Sequence, residues 1–450
     1  MPKVHPPPTL SDIRNISGLL TFDKILEKLL SGLIISDMKS SMDPSQYGNK
    51  SGVSIQHYLI CMIDRILSTL DNNSKGDIFA VVANYVDWNN AFPRQCPRLS
   101  IETLIKNGVR PSLIPILMDF YNGRQMRVKW HGCMSKTRKI NGGQPQGATL
   151  GLLGYLSQSN DCADCVEERN RFRFLDDLSI LEIVNLLTVG ITSFNLKQQV
   201  PRDIPTHNQY IPNENLMSQN WLNKIEEWTD RQKGMINAKK TKTMIFNYTN
   251  DHQFTTRLNL GEENLEVIRS VKLLGTIITD DLKWDENTAS LVKKGNARLE
   301  LLRKISSFGT NIQDLKEIYI LFVRSVLEQS AVVWHSSISL ENANDLERVQ
   351  KSALKIILGQ NYHSYSNALK ILDLENLSTR REKLCLNFAL KAVKNESCKD
   401  MFPLNTENKM NTRNREKYKV KHSNTERLKS SSIVYMQTLL NKHEKESRKT

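Results

Sequence analysis

Long apolar runs are absent from this sequence. No stretch of the 450-residue chain approaches the roughly 20 consecutive apolar residues that a membrane-spanning helix needs. The segment from Met1 to Leu10 is rich in proline and contains no hydrophobic core of a secretory signal. We therefore expect a protein that is neither secreted nor membrane-bound, and that acts in the nucleus, the cytoplasm or both.

Cysteine is also scarce. The seven cysteines are scattered and odd in number, which does not suggest a disulfide framework. Cys162 and Cys165 have the spacing of a metal or redox pair, but no second pair of cysteines or histidines lies nearby. No thioredoxin-like βαβ pattern surrounds them either. Two ordinary free thiols are the favoured interpretation, with a metal or redox role as the alternative.

Acidic residues are outnumbered by basic ones. The chain has 62 Lys and Arg against 48 Asp and Glu, a formal net charge of +14. Such an excess favours a polyanionic partner, either nucleic acid or an acidic membrane face, but it does not specify a fold. The hydrophobic content of 39% is sufficient for packed cores, and the length suits two or three packed units. No internal repeat of fixed period is present.

Two helical patterns precede the first predicted strand. Apolar residues recur on one face over residues 22–38 and again over residues 55–70. Residues 78–86 are mostly apolar and β-branched, which predicts a buried central strand. This predicted strand ends directly at Asp87.

Basic and apolar side chains alternate over residues 126–131. The period of two predicts a strand with Arg127, Lys129 and His131 on one face, followed by a glycine turn and a return strand that reaches Ile140. These cations could follow the backbone of a nucleic acid. A merely solvated charged face is the competing interpretation.

The second half of the chain becomes helical. One more strand is predicted over residues 271–278, and helical patterns with apolar stripes follow from residue 287 onward. Beyond residue 403 the chain is polar, basic and weakly periodic. We expect a basic, partly disordered tail there, with one helix near residues 430–441.

Three aspartates follow predicted strands. Asp87 ends the central strand, and Asp176 and Asp177 end a short run in which Phe172 and Phe174 alternate with arginines. Carboxylates brought together from separate strands could hold two Mg²⁺ ions for nucleotide transfer, because Mg²⁺ prefers oxygen ligands. Each feature also has a plain alternative, since Asp pairs are common in turns and a lone Asp often caps a helix.

The order of these features resembles the reverse transcriptases of non-LTR, LINE-type retrotransposons of the jockey-like kind. Seven segments match motifs of that family in the expected order. They are Arg14–Ser17 and Gln46–Gly48 in the fingers, Val86–Phe92, Gly142–Gly151 and Phe174–Asp177 in the palm, Ile236–Thr241 as the next palm motif, and Leu273–Gly275 with Leu282–Trp284 as the primer-grip region.

The resemblance implies an α/β, right-hand polymerase fold with fingers, a palm built on an antiparallel sheet, and a helical thumb. It divides the chain into partial fingers at 1–75, palm at 76–285, helical thumb and connection at 286–402, and the basic tail at 403–450. The implied activity is RNA-directed DNA polymerisation. Its partners would be an RNA template, a DNA primer or RNA/DNA hybrid, and dNTPs.

The resemblance also assigns a metal site and a gate. Asp87, Asp176 and Asp177 would be the catalytic carboxylates that hold two Mg²⁺ ions, for which Mn²⁺ could substitute. Phe92, five positions after Asp87, would be the steric gate against a ribose 2′-hydroxyl. The alternative for Phe92 is an ordinary core aromatic.

Four further residues would contact the nucleotide. Gln146 and Gly147 would meet the incoming nucleotide and the template at the start of a helix, where backbone N–H groups suit a phosphate. Lys240 would protonate or screen the leaving pyrophosphate, with a surface lysine as an equal alternative. Arg14 would contact the triphosphate.

The match departs from the family pattern in places. Asn15 stands where the family often has Pro, Asn90 where it often has Lys, and Leu175 where Ala is commoner. No endonuclease domain precedes the fingers motif, so we expect an N-terminally truncated element. The alternative is a catalytically inactive remnant, or a host-retained protein that uses the polymerase fold to bind RNA. The oligomeric state is open.

Overall fold

The computed structural model describes residues 16–73, 77–189, 209–249, 254–406 and 416–448. The helices in these ranges are α1 Thr21–Met38, α2 Ile55–Leu70, α3 Pro97–Lys106, α4 Ile114–Tyr121, α5 Thr149–Gln158, α6 Met217–Arg231, α7 Asp285–Ser307, α8 Ile312–Ile318, α9 Ser325–Leu327, α10 Ala331–Trp334, α11 Leu340–Leu358, α12 Tyr365–Ile371, α13 Leu377–Val393, α14 Glu426–Lys429 and α15 Ser432–Ser447. The strands are β1 Phe79–Val86, β2 Gln125–Met126, β3 Lys129–Trp130, β4 Cys133–Met134, β5 Arg138–Lys139, β6 Arg171–Phe174, β7 Asp177–Asn185, β8 Gln209–Ile211, β9 Lys242–Phe246, β10 Phe254–Thr256, β11 Asn259–Leu260, β12 Glu263–Asn264, β13 Glu266–Val267, β14 Ser270–Leu273 and β15 Thr276–Thr279.

A five-stranded sheet forms the centre of the described structure, in the order β13-β9-β1-β7-β6. β1 pairs antiparallel with both β7 and β9, and β6 pairs antiparallel with β7. Only the short β13 runs parallel to its neighbour β9. The buried central strand predicted for residues 78–86 is therefore confirmed as β1.

The sheet is covered on both faces, which explains why β1 is apolar along its whole length. Val81, Ala83 and Tyr85 belong to a core that also contains α2 and the C-terminal helices. Ala80 and Val82 belong to a second core, shared with α6. Alternate side chains of a strand point to opposite faces, so β1 contributes to both cores.

A third, smaller core joins α1, α3, α4 and α5. Helix α1 is confirmed within one residue of its predicted start, but it buries only part of its apolar stripe. Leu30 and Ile34 are buried, whereas Ile25, Leu26 and Leu29 are exposed. Part of the apolar stripe of α1 is therefore not covered by any other residue that the structure describes.

The C-terminal segment contains the helix that was predicted there. Residues 403–450 were expected to be a partly disordered tail with one helix near 430–441. The helix is present as α15, and it is longer than predicted. Met436 and Leu440 on α15 are fully buried in the main core. The described parts of this segment are folded because α15 offers apolar side chains that pack against α2 and α13.

The strand predicted over residues 271–278 is a hairpin instead. Leu274 and Gly275 have φ values of 48° and 88°, and they form the two-residue turn between β14 and β15. Two consecutive left-handed residues reverse the chain, which a propensity pattern does not reveal.

The predicted right-hand polymerase fold is confirmed in its α/β class, its largely antiparallel sheet and its helical portion. No helix within the described ranges is long and apolar enough to cross a bilayer.

Candidate active site

The ends of β1 and β7 bring two aspartates together. β1 and β7 pair antiparallel, with Val86 opposite Leu178. The next position along this register sets Asp87 opposite Asp177. Opposed residues of an antiparallel pair have Cα atoms about 4.5–5.5 Å apart. Two aspartates that are distant in sequence therefore lie at one end of one sheet, as the sequence predicted.

Asp176 lies in the turn of the β6–β7 hairpin. Phe174 pairs with Asp177, which leaves Leu175 and Asp176 as a two-residue turn. Leu175 has a φ of 59°, in the left-handed region, where an L-residue is less stable by about 1–2 kcal/mol. Neighbouring groups must therefore stabilise this turn.

Gln46 supplies that stabilisation. Its side chain is 1% exposed, and its Oε1 accepts hydrogen bonds from the backbone N–H of Leu175 at 3.0 Å and of Gly48 at 2.9 Å. Its Nε2 donates to the carbonyl of Leu175 at 3.5 Å. A Cβ on Gly48 would lie 2.9 Å from the backbone nitrogen of Leu175, so this approach requires glycine. One buried amide therefore contacts both backbone polar groups of the left-handed residue.

A buried ion pair anchors the strand that leads into the turn. The guanidinium of Arg173 donates to Asp43 Oδ2 at 3.3 Å and to two backbone carbonyls at 2.8 and 2.6 Å. Its backbone N–H donates to the carbonyl of Ser45 at 3.0 Å, and its carbonyl accepts from Tyr47 at 2.8 Å. Residues 43–48 thus cover the outer edge of β6, so this edge is not open.

The site gathers negative charge. Burial, and then the charges of Asp176 and Asp87, raise the pKa of Asp177 to about 7. Burial raises the pKa of the Tyr155 phenol well above its usual value, and Asp176 adds to this shift. The three aspartates and Tyr155 therefore lie within each other's electrostatic field.

Phe92 lies against Tyr155 of α5. The two rings stack with their centroids 4.5 Å apart and their planes 25° from parallel. The carbonyl of Phe92 accepts a hydrogen bond from the backbone of Gln144 at 2.8 Å, and Gly143 donates to the carbonyl of Gln95 at 2.8 Å. The predicted gate residue and the glycine loop therefore form one connected unit.

Gln146 and Gly147 complete this loop before α5 begins at Thr149. The half-buried Gln146 accepts a backbone hydrogen bond from Ser17 at 2.8 Å. Gly147 has a φ of 100°, and a Cβ there would lie 3.3 Å from the carbonyl oxygen of Ser17. Both the backbone conformation and the close contact therefore favour glycine at this position.

The start of α5 differs from its prediction as a phosphate site. The carboxylate of the buried Glu27, on α1, accepts a hydrogen bond from the backbone N–H of Thr149 at 3.0 Å. Burial raises the pKa of this carboxyl group. A side chain of the protein itself thus occupies the helix start, where the backbone dipoles favour an acidic group.

Lys240 is exposed in the turn that precedes β9. The loop that contains it is tied to the first aspartate, because Asn237 donates to the carbonyl of Asp87 at 2.7 Å. The Thr241 hydroxyl accepts from the backbone N–H of Asp87 at 3.2 Å. The fold therefore brings the backbone of the Lys240 turn next to Asp87, while contact with a pyrophosphate stays a prediction.

Two other predictions concern Arg14 and the pair Cys162 and Cys165. Arg14 lies outside the described residues, so its contact with a triphosphate stays a prediction. Cys162 and Cys165 are free thiols. Burial raises the pKa of both, to about 11 for Cys162. This environment suits structural thiols better than reactive ones.

The aspartates suit a hard cation by their chemistry. Within the described ranges, no group of three His, Cys, Asp or Glu side chains forms a ready metal cage. Mg²⁺ usually takes only one or two carboxylates, together with water and substrate phosphates. Burial is the main cause of the raised pKa of Asp177, and the charges of Asp176 and Asp87, which a divalent cation would offset, add to it. The oxygen chemistry of Asp87, Asp176 and Asp177 suits such ions, and their role as metal ligands stays a prediction.

Sequence reasoning missed the residues that support the turn. The segment that contains Gln46 and Gly48 was singled out, but its contact with Leu175 was not foreseen, because 129 residues separate Gln46 from Leu175. The stacking of Tyr155 on Phe92 was also missed. Gln46, Leu175 and Phe92 each belong to a matching motif, whereas Tyr155 lies outside all of them and gave no such signal.

Comparison with known proteins supports the resemblance. No family model matches the chain. Over 150 residues it is 27% identical to the probable RNA-directed DNA polymerase from transposon X-element of Drosophila melanogaster. The match covers 33% of this chain and only 16% of that protein's length. This similarity confirms the prediction that the chain resembles the reverse transcriptase of a non-LTR retrotransposon.

Two solved telomerase structures show a remote similarity. Apo telomerase from Candida tropicalis has a TM-score of 0.37 and 12% identity, covering 82% of this chain and 58% of its own. Telomerase from Candida albicans in complex with a fragment of telomeric RNA has a TM-score of 0.34 and 10% identity, covering 83% of this chain and 52% of its own. The fold assignment therefore rests on the sheet and helices described above.

Proposed function

We propose that this chain carries the polymerase domain of a reverse transcriptase. It adds dNTPs to the 3′-hydroxyl of a DNA primer on an RNA template. The observation that carries this proposal is the β1–β7 register, which ends with Val86 opposite Leu178, one position before Asp87 and Asp177, with Asp176 in the adjoining turn. The sequence similarity to a transposon RNA-directed DNA polymerase supports the same reaction.

Asp87, Asp176 and Asp177 are the proposed metal ligands. Two Mg²⁺ ions, or Mn²⁺ in their place, would activate the primer 3′-hydroxyl and stabilise the charge of the leaving pyrophosphate when bound. The protein's own part is to hold the carboxylates still. Gln46 and Arg173 do this, because they fix the turn and the strand before it.

The remaining residues surround the nucleotide. Phe92, stacked on Tyr155, presents a flat ring that excludes a ribose 2′-hydroxyl. Gln146 and Gly147 contact the incoming nucleotide and the template. Lys240 screens the leaving pyrophosphate, and Arg14 contacts the triphosphate.

The proposal extends to the organisation of the chain. Residues 1–75 form partial fingers, 76–285 the palm, and 286–402 the helical thumb and connection. Residues 403–450 form the basic tail, in which α15 packs against α2 and α13. The partners are an RNA template, a DNA primer or hybrid, and dNTPs, and the place of action is the nucleus or the cytoplasm.

Primer extension by the purified protein tests this function. The substrate is poly(rA) annealed to oligo(dT), supplied with dTTP and either Mg²⁺ or Mn²⁺, and the paired variant is Asp176→Asn. We expect extension by the wild type alone, with equal template binding by both proteins. Extension by the variant would show that the site is misassigned.

A negative result would also be informative. Template binding without any extension, under either metal, would favour the inactive remnant or the RNA-binding protein over the enzyme. Absence of both binding and extension would contradict the enzyme and the RNA-binding protein, and would leave the inactive remnant.

A further inference from the structure

Residues 125–139 form a projecting hairpin, here called the basic arm. Gln125 pairs with Lys139 at its base, and Trp130 pairs with Cys133 near its tip. The pairing shifts by one residue between these two ladders, as at a β-bulge. His131 and Gly132 have φ values of 44° and 83°. Positive φ at both central residues is required by a two-residue hairpin turn whose twist matches that of the flanking strands.

The basic arm has charge of one sign only. Chain positions 120–160 contain no Asp or Glu. The arm carries five Lys and Arg residues, namely Arg127, Lys129, Lys136, Arg138 and Lys139. Residues 127–139 are all exposed, and no ion pair within the described ranges involves these five cations. The cations are therefore available to a polyanion.

Apolar side chains are interleaved with these cations. Trp130 is 55% exposed, and Val128 and Met134 are each about half exposed. A two-stranded hairpin with both faces in water has little to stabilise it by itself. An exposed indole between cations is the arrangement with which proteins bind unpaired bases, through stacking and phosphate contact.

The arm is rooted beside the proposed nucleotide site. Arg124, just before the arm, donates to the carbonyls of Gly142 and Gly143 at 3.1 and 2.7 Å. Gly143 in turn donates to Gln95, and the next residue of the loop donates to Phe92. The base of the arm is therefore connected through one loop to the gate residue.

We propose that the basic arm binds the unpaired strand of an RNA template, with Trp130 stacked on a base and the cations along the phosphates. This proposal rests on the proposed function for the role of the strand as template. Single-stranded nucleic acid is favoured over duplex, because the bases of a duplex are stacked on each other and do not offer a face to an indole. A duplex would use the cations but not Trp130.

The test measures binding in EDTA without dNTPs, so that it does not depend on catalysis. The full chain is titrated with a fluorescent single-stranded RNA and with an RNA/DNA hybrid over a range of salt concentrations. The charge variant is Arg127→Gln, Lys129→Gln and Arg138→Gln together. Its matched control removes three exposed lysines elsewhere, Lys370→Gln, Lys391→Gln and Lys394→Gln.

The charge variant should weaken single-strand binding and reduce the slope of log K against log salt by about 2, because each phosphate contact on a single strand contributes about 0.7. Trp130→Ala should weaken single-strand binding by about 5- to 100-fold and leave hybrid binding nearly unchanged. Phe308→Ala, which removes another exposed aromatic side chain, should change neither.

Equal binding by the arm variants and their controls would overturn the proposal. Equal loss of single-strand and hybrid binding in Trp130→Ala would overturn the preference for an unpaired strand. Primer extension by the wild type distinguishes failure of the arm proposal from failure of the proposed enzymatic function. Extension with unaltered arm binding contradicts the arm proposal alone, and arm-dependent binding without extension contradicts the enzymatic function alone.

Discussion

The carboxylate end of the central sheet is partly buried and supported from several sides, whereas the basic arm is exposed on both faces and attached only at its base. At the sheet end, Gln46 and Arg173 fix the turn, and Asp177 is buried enough to have its pKa raised to about 7. On the arm, Trp130 and its neighbouring cations face solvent. Catalytic carboxylates require precise placement, while contact with a long polyanion requires access.

This comparison separates two kinds of variant. Substitutions at the sheet end should reduce catalysis with little effect on template binding, and substitutions on the arm should do the reverse. The predictions below test the sheet end, in decreasing order of expected effect.

Asp87→Asn should reduce primer extension by about a thousandfold or more, because loss of a metal-binding carboxylate raises the barrier by several kcal/mol. Template affinity should stay within about twofold, since the change lies away from the arm. The measurement is extension rate beside RNA binding by the same preparation. Asp119→Asn, the same change at an exposed position of α4, should keep full activity; extension retained by Asp87→Asn would contradict the metal-ligand role.

Gln46→Leu should lower kcat by about 10- to 100-fold, the usual cost of losing a group that orients a ligand-bearing element. The change leaves the backbone N–H groups of Leu175 and Gly48 without their acceptor, so the turn loses its fixed position. The KM for dNTP should change much less. The measurement is steady-state kinetics of extension.

The control for Gln46→Leu is a second buried glutamine. Gln219 accepts a hydrogen bond from Asn259 at 3.0 Å and ties α6 to β11, away from the aspartates. Gln219→Leu should lower the unfolding temperature without a comparable fall in kcat. Equal effects of the two variants on kcat would show that Gln46 contributes only general stability.

Phe92→Val should relax discrimination between dNTPs and rNTPs by roughly tenfold, because the smaller side chain leaves room for a 2′-hydroxyl. The measurement is the ratio of kcat/KM for dTTP and UTP on the same primer and template. Phe120→Val on α4 provides the same change of volume outside the loop. An unchanged ratio would contradict the gate assignment.

Asp177→Asn should alter the pH dependence of stability. The pKa of Asp177 is about 7 when folded and about 3.9 when unfolded, so the folded protein binds the extra proton between these values. The free energy of unfolding therefore falls as pH rises from 4 to 7 and levels off above pH 7. The variant lacks this contribution, so its unfolding temperature relative to wild type should rise by a few degrees between pH 5 and pH 8.

Adding Mg²⁺ in the absence of substrate extends this comparison of unfolding temperatures. At pH 8 the cation should raise the unfolding temperature of the wild type, because it offsets the charge of the three aspartates. The rise should be smaller in Asp177→Asn. Identical pH profiles for the two proteins, or an identical response to Mg²⁺, would contradict the electrostatic account of this site.

The parts of the site that lie within one strand or one turn were predictable. The apolar run that became β1 and the alternating run that became β6 each end at an aspartate, and strand ends are places where side chains from separate segments meet. The basic arm was also visible, because its period of two and its glycine turn are local features. Local patterns were sufficient for these parts of the site, although they missed the local turn between β14 and β15.

The parts that depend on distant partners were not predictable. The contact between Gln46 and Leu175, the use of Glu27 at the start of α5, and the packing of α15 each join segments that are far apart in the chain. The local sequence pattern around these side chains does not indicate which distant segment they contact. The basic composition of the C-terminal segment suggested disorder, although its Met436 and Leu440 are buried by helices from elsewhere.

The central claim is that the aspartates of two separate strand ends act as one unit in nucleotide addition. The most direct test is a double-variant cycle with Asp87→Asn, Asp176→Asn and both together, measured by primer extension on poly(rA)–oligo(dT). If they act as a unit, each single variant should lose nearly all activity and the double variant should lose little more. Substantial extension by either single variant, or losses that multiply in the double variant, would contradict the account.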